Sequence, residues 1–193
     1  AMVGAGTTRF HHKEHKGKTS RELFVEAALE AFASVDKGIE RKDVEALFIG
    51  NFSSDVFEHQ CHMAPLMADW LGLNPIPTTR IENACASGGV ALQMGVLAVA
   101  SGAFDVVMVG GVEKMTELGT AEVSTALGGA GDQEWELFLG VTFPGLYALM
   151  ARRHMYEFGT TEEMMASVSV KNHRNGSKNE HAQFRKELSI EDV

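Results

Sequence analysis

The stretch "SGGVALQMGVLAVASG", residues 87 to 102, restricts the fold more than any other. Its only polar side chains are Ser87, Gln93 and Ser101, so a helix here has almost no face to offer water. The apolar character is broken too soon for a membrane span, because even 90 to 109 contains Gln93, Ser101 and Asp105. The helix is therefore expected to lie buried between layers of protein, with another half or another subunit covering its far side. Two β-rich runs flank it, "TTRIENA" (78 to 84) and "FDVVMVGG" (104 to 111). Strand, helix, strand is the order of a parallel crossover, and parallel sheets are covered on both faces.

The chain upstream repeats that alternation. The first residues, "AMVGAGTTRF", read as the tail of a strand entering a glycine turn. "TSRELFVEAALEAFASV" (19 to 35) opens with Thr19 or Ser20 as cap and Glu22 in the first turn, then spaces Leu23, Phe24, Ala27, Ala28 and Ala31 as a helix. "VEALFIGNFSS" (44 to 54) reads as a short buried strand, and "HQCHMAPLMADWLGL" (59 to 73) as a helix ending near Gly72. The expected fold is α/β, with a mixed, mainly parallel sheet and helices on both faces.

From about residue 117 the character changes. "ELGTAEVSTALGGAGDQEWE" is glycine-rich and polar and reads as loop. Two helices are expected beyond it, over 144 to 159 with Pro144 just inside the start, and over 160 to 176 with Thr160 or Thr161 as cap and Gly176 at the end. The domain division expected is 1–116 for the α/β core and 117–193 for a helical excursion from it. Both ends read as interrupted elements: too few residues precede the first glycine turn, and "KELSIEDV" stops at a helix cap, Ser189, followed by Glu191 and Asp192. A truncated chain is expected.

Charge narrows the function. The 193 residues carry 26 Asp and Glu against 17 Lys and Arg, a net charge of −9, which argues against a nucleic-acid binder. One local exception is "KNHRNGSKNEHAQFRK" (171 to 186), where Lys171, Arg174 and Lys178 are candidates to meet a phosphorylated small molecule, or form a solvated helix end. Two cysteines, Cys61 and Cys85, make no disulfide framework, and the N-terminus lacks the pattern of a signal peptide. The expected location is the cytoplasm, without membrane attachment.

Cys85 is the residue with most chemical promise. In "NACASGG" it stands between a strand ending near Asn83 and a helix beginning near Ser87. A thiol there feels the helix N-terminus as partial positive charge, and backbone N–H groups of Ala86, Ser87, Gly88 and Gly89 are placed to steady an oxyanion. The residues alone leave a second reading, a small packed cysteine at a turn. Gly110 and Gly111 read either as a tight turn or as a close backbone approach beside the Cys85 turn.

His59, Cys61 and His62 do not make a metal site, since structural zinc needs a second ligand pair that the sequence lacks, and no metal is expected. Cys61 and His62 read instead as helix residues, one packed and one partly exposed. His11, His12 and His15 read as a solvated loop. "VGAGTTRF" is not a dinucleotide fingerprint, because the third glycine is missing and no helix follows directly.

At "NACASGGVALQMGVLAVASGAFDVVMVGGVEKMT" the chain resembles the thiolase superfamily around its acylated cysteine, with Asn-x-Cys-x-Ser-Gly opening a buried helix and a later strand ending in Gly-Gly-x-Glu-x-Met. "FPGLYALMARRHM" and "SVKNHRNGSKNEHAQF" look most like the archaeal acetyl-CoA acetyltransferases and the sterol-carrier-protein-type thiolases. The resemblance implies a five-layered α-β-α-β-α fold of two similar halves, of which this chain is the N-terminal half only, plus part of the loop domain that covers coenzyme A. It implies that Cys85 takes an acyl group from acetyl-CoA or another acyl-CoA, that coenzyme A thioesters are substrates with no further cofactor, and that the protein is a homodimer or tetramer pairing through "TTRIENA".

The family also uses a histidine before proline and a second cysteine before x-Gly-Gly. Neither motif occurs in these residues, so the partner implied is a C-terminal half, without which the chain is expected to be inactive. The competing expectations are a relative of 3-ketoacyl-carrier-protein synthase or hydroxymethylglutaryl-CoA synthase, and a non-catalytic thiolase-like binding or scaffold subunit.

Overall fold

The computed structural model describes residues 1–11 and 13–193, which divide into two compact units. The first comprises Ala1–Thr8 with His15–Gly119, and the second Arg9–Glu14 with Thr120–Val193.

At the centre of the first unit is a parallel sheet of three strands, β1 (Ala46–Gly50), β2 (Thr78–Ile81) and β3 (Val107–Gly111), in the order β2-β1-β3. Leu47 stands opposite Thr78 on one side and Met108 on the other. Helices α1 (Ser20–Ala33), α2 (Ser54–Phe57), α3 (Met63–Leu71) and α4 (Ser87–Ala100) complete the unit. Strand alternation decides which helix meets which face. Leu47 and Ile49 point into a core with Phe24, Met63, Met67 and Leu71, whereas Gly50, Val107 and Val109 meet α4. Helices thus cover both faces of a parallel sheet, as the alternation predicted.

α1 starts with a complete capping box: the Thr19 hydroxyl accepts from the Glu22 N–H, and the Glu22 carboxylate accepts from the Thr19 N–H at 2.7 Å. Gly72, in the left-handed region at φ 67°, ends α3. β1 is shorter than the run 44 to 54 suggested, because after Asn51, whose N–H still bonds the Ile81 carbonyl, the N–H groups of Phe52 and Ser53 turn to the Glu113 carboxylate.

The structure corrects several readings in this unit. The N-terminal segment forms no strand; it runs against α1, where Ala5 N–H donates to Ser34 Oγ and Thr7 N–H to Glu30 Oε2, both at 2.8 Å. Cys61 and His62 precede α3 and are exposed, since His62 sits at a left-handed φ of 61° that a helix interior excludes. His15 is buried, not solvated, while His12 lies outside the described residues. β3 is only half-buried, because it is an edge strand bordering a cavity of about 670 Å³ between residues 1–6, α1 and α4.

α4 has the uncovered side that another half or another subunit was expected to meet. Only Ser87, Ala91 and Gly95 are buried, on the face that meets the sheet. The rest of the helix surface carries Leu92, Met94, Val96, Leu97 and Val99 in the open, Val96 at 59% and Leu97 at 53% exposure. A helix without a polar face is here covered on one side only.

The second unit holds α5 (Thr120–Gly128), α6 (Phe143–Phe158) and α7 (Glu162–Gly176). α5 corrects the loop expected over 117–136: the helix-compatible run Thr120–Leu127 is diluted in that window by Gly128, Gly129 and Gly131, which end it. α6 begins at a Thr142 cap with Pro144 in its first turn, and Gly159 closes it at φ 69°. Thr161 caps α7 through the Met164 N–H. Among the described residues no helix is long and apolar enough to cross a membrane.

Candidate active site

Cys85 occupies a single 3-10 turn, Ala84–Ala86, that joins β2 to α4, and its side chain is exposed. The turn is held by a buried hydroxyl. Ser87 Oγ accepts from the Asn83 N–H at 2.8 Å and donates to the Ala84 carbonyl at 2.7 Å, which staples both ends of the turn to the helix start. The Ala86 N–H closes onto the Asn83 carbonyl at 2.9 Å, and Glu82 accepts from the Ala84 N–H at 2.6 Å. Ala84 itself is forced to φ 45°, a left-handed value that strains any residue with a Cβ.

The start of α4 lacks a side-chain cap, since Ala86 stands at the capping position with nothing to offer. Backbone N–H groups of a helix's first turn have no partner within the helix; the Ser87 N–H bonds the Ala84 carbonyl of the preceding turn, and no side-chain cap takes up the donors that follow it. Small residues let the strands approach this start closely. A Cβ at Gly50 would fall 2.6 Å from Gly88 Cα, and one at Gly111 would fall 3.9 Å from it. The tight neighbour of a Cβ at Gly111 is the Gly50 carbonyl oxygen, at 3.2 Å, whereas a Cβ at Gly110 would point away, 2.3 Å from the Phe24 ring.

The residues after β1 and β3 form a polar cluster past the carboxyl ends of these strands, and sequence reasoning missed most of it. Glu113 accepts from the N–H groups of Phe52 at 2.7 Å and Ser53 at 3.2 Å. Burial pushes its carboxyl above the ordinary glutamate range; the Phe52 and Ser53 N–H groups and the Arg80 cation pull the other way, and Glu58 adds to the rise. Asp55 is held below the ordinary aspartate range by its hydrogen bond from Arg80 at 2.9 Å. Glu113 was visible in "GGVEKM"; nothing in the sequence linked Asn51 or Arg80 to it, because these partners lie 62 and 33 positions away from residue 113.

Ala86, Ser87, Gly88 and Gly89 all sit between the Cys85 turn and the first turn of α4. Lys171 and Arg174 lie exposed on the last turns of α7 and Lys178 just beyond its end, all in the other unit. Cys61 is exposed in the loop before α3. Among the described residues, no three His, Cys, Asp or Glu side chains come together to hold a metal ion.

Fold and site together define an α/β protein that presents an exposed thiol at a strand-to-helix turn on an uncapped helix start. Residues 1–191 match the family described as "Thiolase, N-terminal domain", and the chain belongs to the thiolase family. It is 49% identical over its whole length to acetyl-CoA acetyltransferases of Methanothermobacter thermautotrophicus and Methanocaldococcus jannaschii, covering 49% and 48% of those proteins. It is 28% identical, again over its whole length, to chicken (Gallus gallus) sterol carrier protein 2, of which it covers 35%. The chain spans about half the length of the archaeal relatives. The likeness to archaeal acetyltransferases and sterol-carrier-type thiolases read from the sequence is borne out.

Proposed function

We propose that this chain is the acyl-accepting part of an acetyl-CoA acetyltransferase-type thiolase, with Cys85 as nucleophile. The observation that carries the reading is the exposed Cys85 thiol on a stapled turn at an uncapped helix start, in a chain of the thiolase family. In the reaction, Cys85 Sγ gives up its proton and attacks the thioester carbonyl of an acyl-CoA. The carbonyl oxygen gains negative charge, and backbone N–H groups at Gly88 and Gly89 steady it, while those of Ala86 and Ser87 hold the turn through the Asn83 and Ala84 carbonyls. The bond from acyl carbon to coenzyme A sulfur then breaks, coenzyme A leaves as the thiol after taking up a proton, and the acyl group stays on Cys85.

Condensation with a second acetyl-CoA, or its reverse by thiolysis, needs a base and a histidine from a part of the protein outside residues 1–193; alone, the chain turns over no ketoacyl-CoA. Coenzyme A thioesters are the substrates, and no further cofactor takes part. Lys171, Arg174 and Lys178 meet coenzyme A phosphates, and the loop unit covers that molecule. β2, an edge strand, pairs with its counterpart in a second copy. The protein works in the cytoplasm.

Incubating the intact gene product with labelled acetyl-CoA and mapping the label by peptide mass spectrometry tests the assignment. Label on Cys85, absent from Cys85→Ala, is expected; an unlabelled Cys85 sinks it.

A further inference from the structure

Three segments converge at the carboxyl ends of the strands, and the middle one, residues 51 to 53, is gripped by opposite charges from its two sides. From β2, Arg80 donates Nε to the Asn51 carbonyl at 3.3 Å and Nη2 to the Phe52 carbonyl at 2.7 Å. From beyond β3, Glu113 Oε2 accepts the Phe52 N–H at 2.7 Å, while Oε1 accepts the Ser53 N–H at 3.2 Å and Asn51 Nδ2 at 3.3 Å. Carbonyls face the cation and N–H groups face the anion, an arrangement that offsets part of the cost of burying the Glu113 charge. Asn51 ties the loop further, its N–H to the Ile81 carbonyl at 3.1 Å and its Nδ2 to the Val112 carbonyl at 2.8 Å.

The gripped loop adjoins the surface on which the thiol's turn rests. Asn51 follows Gly50, whose Cα lies so close to α4 that a Cβ would stand 2.6 Å from both Gly88 N and the Ser87 carbonyl carbon. This contact is backbone on backbone, with no flexible side chain to absorb a displacement. Ser87 is also the residue whose hydroxyl staples the Cys85 turn. A shift of residues 51 to 53 therefore passes through Gly50 to Ser87 and Gly88, and from them to Cys85.

We propose that Glu113 is a positioning residue for Cys85: its carboxylate fixes the 51–53 loop and, through the Gly50–Gly88 contact, the turn that presents the thiol. The proposal rests on the reading of Cys85 as acyl acceptor. Glutamine cannot replace Glu113, although it has the same shape, because both carboxylate oxygens accept from N–H groups and an amide NH₂ in either orientation confronts a donor.

The test compares Glu113→Gln with Glu58→Gln in the intact gene product. Glu58 is the control: it accepts from the Ser20 N–H at 2.9 Å and from the Ser20 hydroxyl, and it acts on Glu113 as a like charge that opposes ionisation, so removing it does not weaken the hold of the Glu113 carboxylate. The readouts are the rate of Cys85 labelling by acetyl-CoA at several concentrations, and the thermal midpoint. Glu113→Gln is expected to lower the maximal labelling rate about tenfold or more with half-saturation unchanged, as small misplacements of reacting groups do. Glu58→Gln is expected to stay within about twofold of the parent at a similar loss of thermal stability.

A parental rate in Glu113→Gln, or equal rate losses in the two variants, overturns the proposal. Should the glutamine variant fail to fold, Glu113→Asp is read the same way, since it keeps two acceptors at a shorter reach. An intermediate rate is expected of it, and a parental rate overturns the role. A parent whose Cys85 takes no label removes the reading of Cys85 itself, whereas a labelled parent matched by Glu113→Gln removes only the role of Glu113.

Discussion

Ala84 holds the left-handed conformation immediately before Cys85, and its strain sets a sharp expectation for substitutions. Relieving a left-handed Cβ contact is worth about 1–2 kcal/mol, whereas glycine loses about 0.5–1 kcal/mol in backbone freedom on folding. Ala84→Gly is therefore expected to be nearly neutral in chemical denaturation. Ala84→Val adds a β-branch at a positive φ and is expected to destabilise by about 1–3 kcal/mol. Glu113 offers a test by pH. Its folded carboxyl titrates above the ordinary glutamate range, so its contribution to stability is full below that range and is lost as the pH rises through the raised value. Asp55 runs the other way, contributing above the ordinary aspartate range and losing that contribution as the pH falls through its lowered value. A carboxyl-carbon NMR titration with Glu113 at or below the ordinary range contradicts this assignment; the neighbouring charges it feels are Arg80 and Glu58. At this scale Cys85 and Ser87 were legible, because small residues between a strand and a helix announce a tight turn. The φ of Ala84 was not, since an alanine gives no sign of it where a glycine or asparagine does.

Between elements, the decisive contact is the crossing of β1 and α4 at Gly50 and Gly88. A methyl at Gly50 meets backbone atoms at 2.6 Å, and backbone cannot rotate away. Gly50→Ala is expected to destabilise by about 1–3 kcal/mol in a denaturation curve, the usual range for overpacking. Arg80→Lys is expected to lose about 1–3 kcal/mol, because a single ammonium cannot reach Asn51, Phe52 and Asp55 together in the fork geometry of a guanidinium. Helices announced by local signals were legible: Thr19 with Glu22, Pro144 and Thr161 mark starts, and Gly72 and Gly176 mark ends. α5 was not, since its few helix-forming residues are outweighed by the glycines that follow. The N-terminal segment misled for the opposite reason. Its apolar start has strand character, yet its polar partners are Ser34 and Glu30 of α1, a pairing no local pattern encodes.

For the chain as a whole, the apolar outer face of α4 is the outstanding feature. The sequence said that this helix needs cover on both sides, and the structure covers only the sheet side. Replacing Val96 and Leu97 by Lys and Glu is expected to lower binding of a hydrophobic dye by the 193-residue chain without lowering its thermal midpoint. A falling midpoint contradicts the view that this face is unpacked. The succession of strands and helices from residue 19 to 111, and the family, were legible because the alternation of strand and helix, and the residues around Cys85, carry them locally; the order β2-β1-β3, which separates two consecutive strands, was not. The half-burial of β3 was not, because the neighbours of an edge strand lie elsewhere in the chain. The central claim is that the Cys85 sulfur carries the acyl group. Exchange of label between acetyl-CoA and free coenzyme A, catalysed by the intact gene product, tests it most directly: exchange is expected to vanish in Cys85→Ser and persist in Cys61→Ser, and exchange that survives in Cys85→Ser contradicts the account.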